Sequence, residues 1–150
     1  MVWLSLILTL WATSTPATPT SLGIDPVVLN GKWTGVLTQD RGGFVPEYRF
    51  EMTLRQKDGQ FTGSSYVSVR KIFARWSLQA DFKDGVLHFR ETELGRHTQL
   101  EDLYWCLKEG KLYLKQVNNR WVLYGSWSGN SDLGPCVPGK IRLEKEIPQA

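Results

Sequence analysis

The sequence predicts an all-β fold, an antiparallel up-and-down meander barrel of about eight strands behind an N-terminal signal peptide. Three observations carry this. Apolar and polar residues alternate with period two from Lys32 onward, short turn dipeptides separate the alternating runs, and no 3.6-period stretch is long enough for a helix.

The alternation is clearest from Glu47 to Leu54. Tyr48, Phe50, Met52 and Leu54 fall on one face, and Glu47, Arg49, Glu51 and Thr53 on the other. The turns are equally legible. Asp58-Gly59, Asp84-Gly85, Glu109-Gly110 and Asn118-Asn119 suit the positive-φ positions of tight hairpins, so neighbours in sequence should pair in space. Strands are expected near 32–39, 46–56, 60–69, 74–82, 85–92, 102–108, 111–117, 121–128 and 139–145. A sheet of eight or nine such strands with one apolar face and no helix to cover it must close on itself or stack on a second sheet. Closure also removes exposed edges, which favours the barrel over a sandwich.

Before the strands, Val2 to Trp11 is apolar apart from Ser5 and Thr9, and too short for a helical span. It runs into the small, Pro-rich Ala12 to Thr20, as a secretory leader does before its cleavage site. Residues 1–17 are read as a signal peptide, 18–28 as a flexible leader and 29–147 as the barrel domain. The charged n-region of most signals is missing, since no basic side chain precedes Lys32; the alternative is a non-secreted chain with an apolar N-terminus. A secreted or periplasmic location, with no stable membrane span after cleavage, is expected. Export would suit a Cys106–Cys136 disulfide, because neither His88 nor His97 stands at ligand spacing to a thiol.

A formal net charge of +3, with Lys and Arg dispersed and only Arg70-Lys71 adjacent, excludes the clustered basic stripe of a nucleic-acid binder. No phosphate-binding glycine loop, zinc spacing or calcium loop occurs, so neither metal nor cofactor is expected. Gly125-Ser126-Trp127-Ser128-Gly129 carries Trp where a nucleophile elbow needs Ser. Glu91 and Glu93 form no acid/base site without further elements, and no enzyme is expected.

The pattern Gly-x-aromatic-x-Gly occurs around Trp33, Phe61 and Trp127, flanking each large ring with backbone free of side chains. Leu29-Asn30-Gly31-Lys32-Trp33-Thr34, followed by Gly59-Gln60-Phe61-Thr62-Gly63-Ser64-Ser65-Tyr66, resembles the opening of avidin-like barrels and, more loosely, the Gly-x-Trp start of lipocalins, both calycin-type eight-stranded meanders. The resemblance covers about 20 residues and implies the fold. It does not imply biotin binding, because Gly35 stands where that family places a polar ligand. It also implies that Trp33 packs under a basic residue of the last strand, Arg142 or Lys140.

Strand parity turns Tyr48, Trp76, Phe89, Glu91 and Trp127 toward one interior volume, the candidate binding site. Glu91 would need a donor beside it if buried, and would favour a cationic ligand; alternatively the strand ends before it and Glu91 is solvated at the rim. The expected function is binding of an unknown small molecule or peptide. The alternative is a non-enzymatic structural or protein-interaction module of the cell envelope, solidly packed, with Tyr113, Tyr124 or Trp121 meeting a partner.

Overall fold

A computed structural model describes residues 23–149. The expected signal peptide lies outside the described residues. The strands are β1 Gly31–Thr38, β2 Glu47–Lys57, β3 Gln60–Val69, β4 Ile72–Lys83, β5 Val86–His97, β6 Leu107–Val117, β7 Arg120–Ser131, the two-residue β8 Gly134–Pro135 and β9 Gly139–Lys145. Each of β1 to β7 pairs antiparallel with its neighbour in sequence, β9 lies between β7 and β1, and β8 folds back on the end of β7. This is a closed eight-stranded barrel with one short extra strand. Closure joins first to last: Trp33 stands opposite Lys145 and Leu37 opposite Ile141.

The hairpin turns do what their residues predict. Asp58, Gly59, Asp84, Gly85, Asn118 and Asn119 all hold φ between 50° and 80°, as a two-residue turn matched to strand twist requires. These three turns lie at one end of the barrel. The other end carries Arg70-Lys71 and three long connections, 39–46, 98–106 and 132–138.

The turn-bearing end is sealed. Across the end of the expected leader 18–28 and the first residue of the expected domain, Pro26–Leu29 winds a short 3-10 helix, with the Asp25 carboxylate accepting from Val27 N. Leu29 and Trp33 are both fully buried, and the indole Nε1 of Trp33 donates to the Leu29 carbonyl at 2.9 Å. Arg142 does not cover this ring. It lies on the outer face, half exposed and 4.0 Å from Glu144, because its neighbours Ile141 and Leu143 take the inward positions. Lys140 likewise points outward, to Ser126 Oγ. The cation near the plug is Lys145, whose ammonium donates to the Val28 carbonyl.

Two strand expectations need correction. Glu109-Gly110 is not a turn: β6 runs through it, and residues 98–106 form a loop, so Cys106 precedes β6 instead of lying on a strand over 102–108. Gly110 belongs inside because a Cβ there would stand 2.8 Å from the Phe89 ring and 2.4 Å from the Ser126 carbonyl oxygen. β5 also continues five residues past the expected end, to His97. The Cys106–Cys136 disulfide is formed and ties the 98–106 loop to the 132–138 loop.

Candidate functional site

The barrel wall is incomplete at the loop-bearing end. β5 and β6 pair from Val86↔Tyr113 to Arg90↔Glu109 and then part, while β5 goes on along β4. The next residues inward on the two strands are Glu91 and Lys108. Glu91 is buried and not solvated at a rim. Its Oε2 accepts from the backbone N–H of Lys108 at 2.8 Å and from the Lys108 ammonium at 2.9 Å, and its Oε1 accepts from Ser65 Oγ. A side-chain carboxylate thus replaces the missing ladder partner of a buried amide. Lys108 is only 3% exposed; its ammonium also donates to the Cys106 carbonyl at 3.0 Å and lies 5.4 Å from the centroid of the Trp76 ring. The Trp76 indole N–H is buried without a partner among the described residues.

Outward of this pair lies a cavity of about 300 Å³. Tyr48, Trp127, Trp105, Tyr104 and Phe44 give it aromatic walls, Lys108, Gln39, Asp102 and Ser131 contribute polar groups, and the disulfide borders it. Gln39 organises the rim. Its Oε1 accepts from Tyr48 Oη at 2.9 Å and from Phe44 N at 3.2 Å, while its Nε2 donates to the Val137 carbonyl at 3.1 Å. Trp127 Nε1 donates to the Thr38 carbonyl at 2.9 Å and Trp105 Nε1 to the Thr98 carbonyl at 3.0 Å, fixing both indoles. Burial pushes the Tyr48 phenol above its ordinary value, with a backbone hydrogen bond from Val45 opposing in part, so it remains a protonated donor at neutral pH. At the outer lip, Phe44 is 67% and Leu133 74% exposed.

The five residues expected to share one volume divide into layers. Tyr48 and Trp127 line the cavity; Glu91 and Trp76 stand behind Lys108 and touch the site through it; Phe89 is fully buried against Gly110. Lys108, Ser65, Gln39, Tyr104 and Trp105 were missed. Lys108 was within reach of the same parity rule, since it is two residues from inward Gly110 and four from Leu112. The misplaced turn hid it. The loop residues carry no periodic signal.

Two other concavities are of a different kind. One, about 240 Å³, is a polar groove on the outer wall near Gln79, Asp81, His88 and Arg90; the other is an open recess beside Lys145 to Gln149. Neither enters the barrel. Among the described residues no cluster of His, Cys, Asp or Glu could hold a metal ion, and no helix is long and apolar enough to cross a membrane.

No family model, curated protein or solved structure matches the chain.

Proposed function

We propose that the chain is a secreted, calycin-like binding barrel that takes a small, largely apolar molecule or a short peptide segment into the cavity at its loop-bearing end. The observation that supports this most is the aromatic cavity itself, opening outward from a barrel whose opposite end is plugged by Trp33 and Leu29. Its volume of about 300 Å³ falls at the lower end of small-molecule sites, which combine apolar walls with a few placed polar groups. A disulfide bordering the cavity suits an oxidising compartment and so the signal peptide proposed for residues 1–17.

Ligand charge is governed by the Glu91–Lys108 pair as a unit. Both Glu91 oxygens are engaged by Lys108 and Ser65, so the carboxylate offers no free site to a cation. The polar groups that line the cavity for a ligand are Gln39, the Tyr48 hydroxyl and the Lys108 ammonium inside, with Asp102 and Ser131 on its loops. An uncharged or acceptor-bearing molecule with an aromatic or aliphatic body fits these groups best.

Intrinsic tryptophan fluorescence, titrated with a panel of small aromatic and aliphatic compounds, tests the reading. A saturable change that is lost in Trp127→Phe and weakened in Gln39→Ala is expected. Absence of any saturable response across the panel sinks it. The protein-interaction alternative would then stand on Phe44 and Leu133, two large apolar side chains left exposed on neighbouring loops.

A further inference from the structure

The basic residues are dispersed in the sequence, but the barrel gathers several of them on the outer wall of β6, β7 and β9. Register sets the grid: Lys111, Ser126 and Lys140 form one row, Tyr113, Tyr124 and Arg142 the next, and Lys115, Val122 and Glu144 a third. Same-face residues are about 7 Å apart along a strand and adjacent strands about 4.8 Å apart, so Lys111 and Lys140 stand roughly 10 Å from each other across β7. Arg120 borders the third row. Five cations against two carboxylates, Glu144 and Glu109, place three net positive charges on this face, as many as the whole chain carries. Glu144 is shared by Arg120 at 3.2 Å and Arg142 at 4.0 Å. Lys140 reaches only Ser126 Oγ at 2.9 Å, Lys115 lies 4.2 Å over the Tyr124 ring, and no ion pair to Lys111 is formed among the described residues. Glu109, one row beyond Lys111, stands opposite Arg90.

We infer that this face is a second binding surface, independent of the cavity, whose partner is an acidic polysaccharide lying across β6, β7 and β9. Tyr113 and Tyr124 are exposed, yet their rings lie against each other at 5.9 Å and Lys115 stands over Tyr124, so the rings are engaged with each other and with a cation. That arrangement does not provide the free ring faces on which unpaired bases stack. Nor does the face offer the apolar area by which a protein inserts into a lipid surface: its exposed large hydrophobics are these two tyrosines and, at the far end of β6, Leu107. A flexible polyanion with hydroxyl groups needs neither. It needs spaced cations on an open wall, and gains affinity by releasing its counterions.

Heparin serves as the probe, with binding measured against salt concentration. The triple variant Lys111→Gln/Lys140→Gln/Arg142→Gln is compared with Arg70→Gln/Lys71→Gln/Arg75→Gln, which removes the same charge elsewhere. The first should bind roughly tenfold or more weaker at physiological salt, with a shallower salt dependence, and the second should stay close to the parent. Near-UV circular dichroism verifies folding, and single Lys111→Glu and Lys140→Glu exchanges replace the triple variant if it does not fold. No binding by the parent, or equal weakening in both triple variants, overturns the assignment. Tighter binding of an unstructured oligonucleotide or of anionic phospholipid vesicles overturns it in favour of that partner.

Discussion

The two ends of the barrel are built from the same alternating strands and differ in what closes them. At the turn-bearing end, three two-residue hairpins bring the strands together over Trp33, whose ring and N–H are both satisfied by Leu29. At the other, long loops stand apart, β5 and β6 separate, and Glu91 with Lys108 occupies the break. One end is closed by apolar burial, with the Trp33 indole and the Lys145 ammonium tying the plug to its own backbone carbonyls. The other combines a buried ion pair, a disulfide and a hydrogen-bonded glutamine, and leaves room for a ligand. Short turns therefore set where the barrel is packed, and polar residues appear where the backbone ladder runs out.

The sharpest way to break the packed end is Trp33→Ala. Removing a fully buried indole and its hydrogen bond should cost about 5 kcal/mol, measured by urea unfolding, a figure at the top of the range for large aromatic truncations. Cavity ligands that still bind any folded fraction would show the ends to be separable. At the open end, Lys108→Met strands the Glu91 carboxylate in the interior and should cost about 4 kcal/mol. Adding Glu91→Gln should restore most of that loss, because the amide oxygen can still accept from the Lys108-position N–H; no restoration would mean the pair acts by packing rather than charge.

Replacing both Cys106 and Cys136 with Ser opens a loop of about 30 residues and should cost about 3 to 4 kcal/mol in the chain-entropy model. Hydrogen exchange should then quicken in 98–106 and 132–138 while the hairpin turns at the far end stay protected. The smallest effect expected is from Tyr48→Phe, about 1 kcal/mol for the lost hydrogen bond to Gln39. It carries a pH signature. Burial raises the folded-state value of the phenol above its ordinary 10.0, so its contribution is complete below that pH and is lost as pH rises through the folded value. Unfolding midpoints of the parent should fall at alkaline pH by more than those of the variant.

How far the sequence could be read follows the same division. Alternation and turn chemistry are local, so the residues from Tyr48 to Leu54, the hairpins at Asp58-Gly59, Asp84-Gly85 and Asn118-Asn119, and the β1 to β9 closure were legible. Gly110 misled because glycine marks both a turn and a place where a ring meets backbone; only the Phe89 ring in the folded barrel decides between them. That one error hid Lys108 and with it the partner of Glu91. Gln39, Tyr104 and Trp105 sit in loops, where side chains are placed by contacts distant in sequence, such as Gln39 with Val137. Arg142 was set over Trp33 by a family resemblance, and strand parity, followed through Ile141 and Leu143, puts it outside.

The contrast between a packed end and a receptive one is tested most directly by an amide-resolved NMR titration with 1-naphthol, an uncharged aromatic probe bearing one hydroxyl group. The account predicts saturable shifts confined to 37–48, 67–72, 102–108 and 127–137, with the turns at 58–59, 84–85 and 118–119 unmoved. Shifts centred on those turns, or none at any probe concentration, would contradict it.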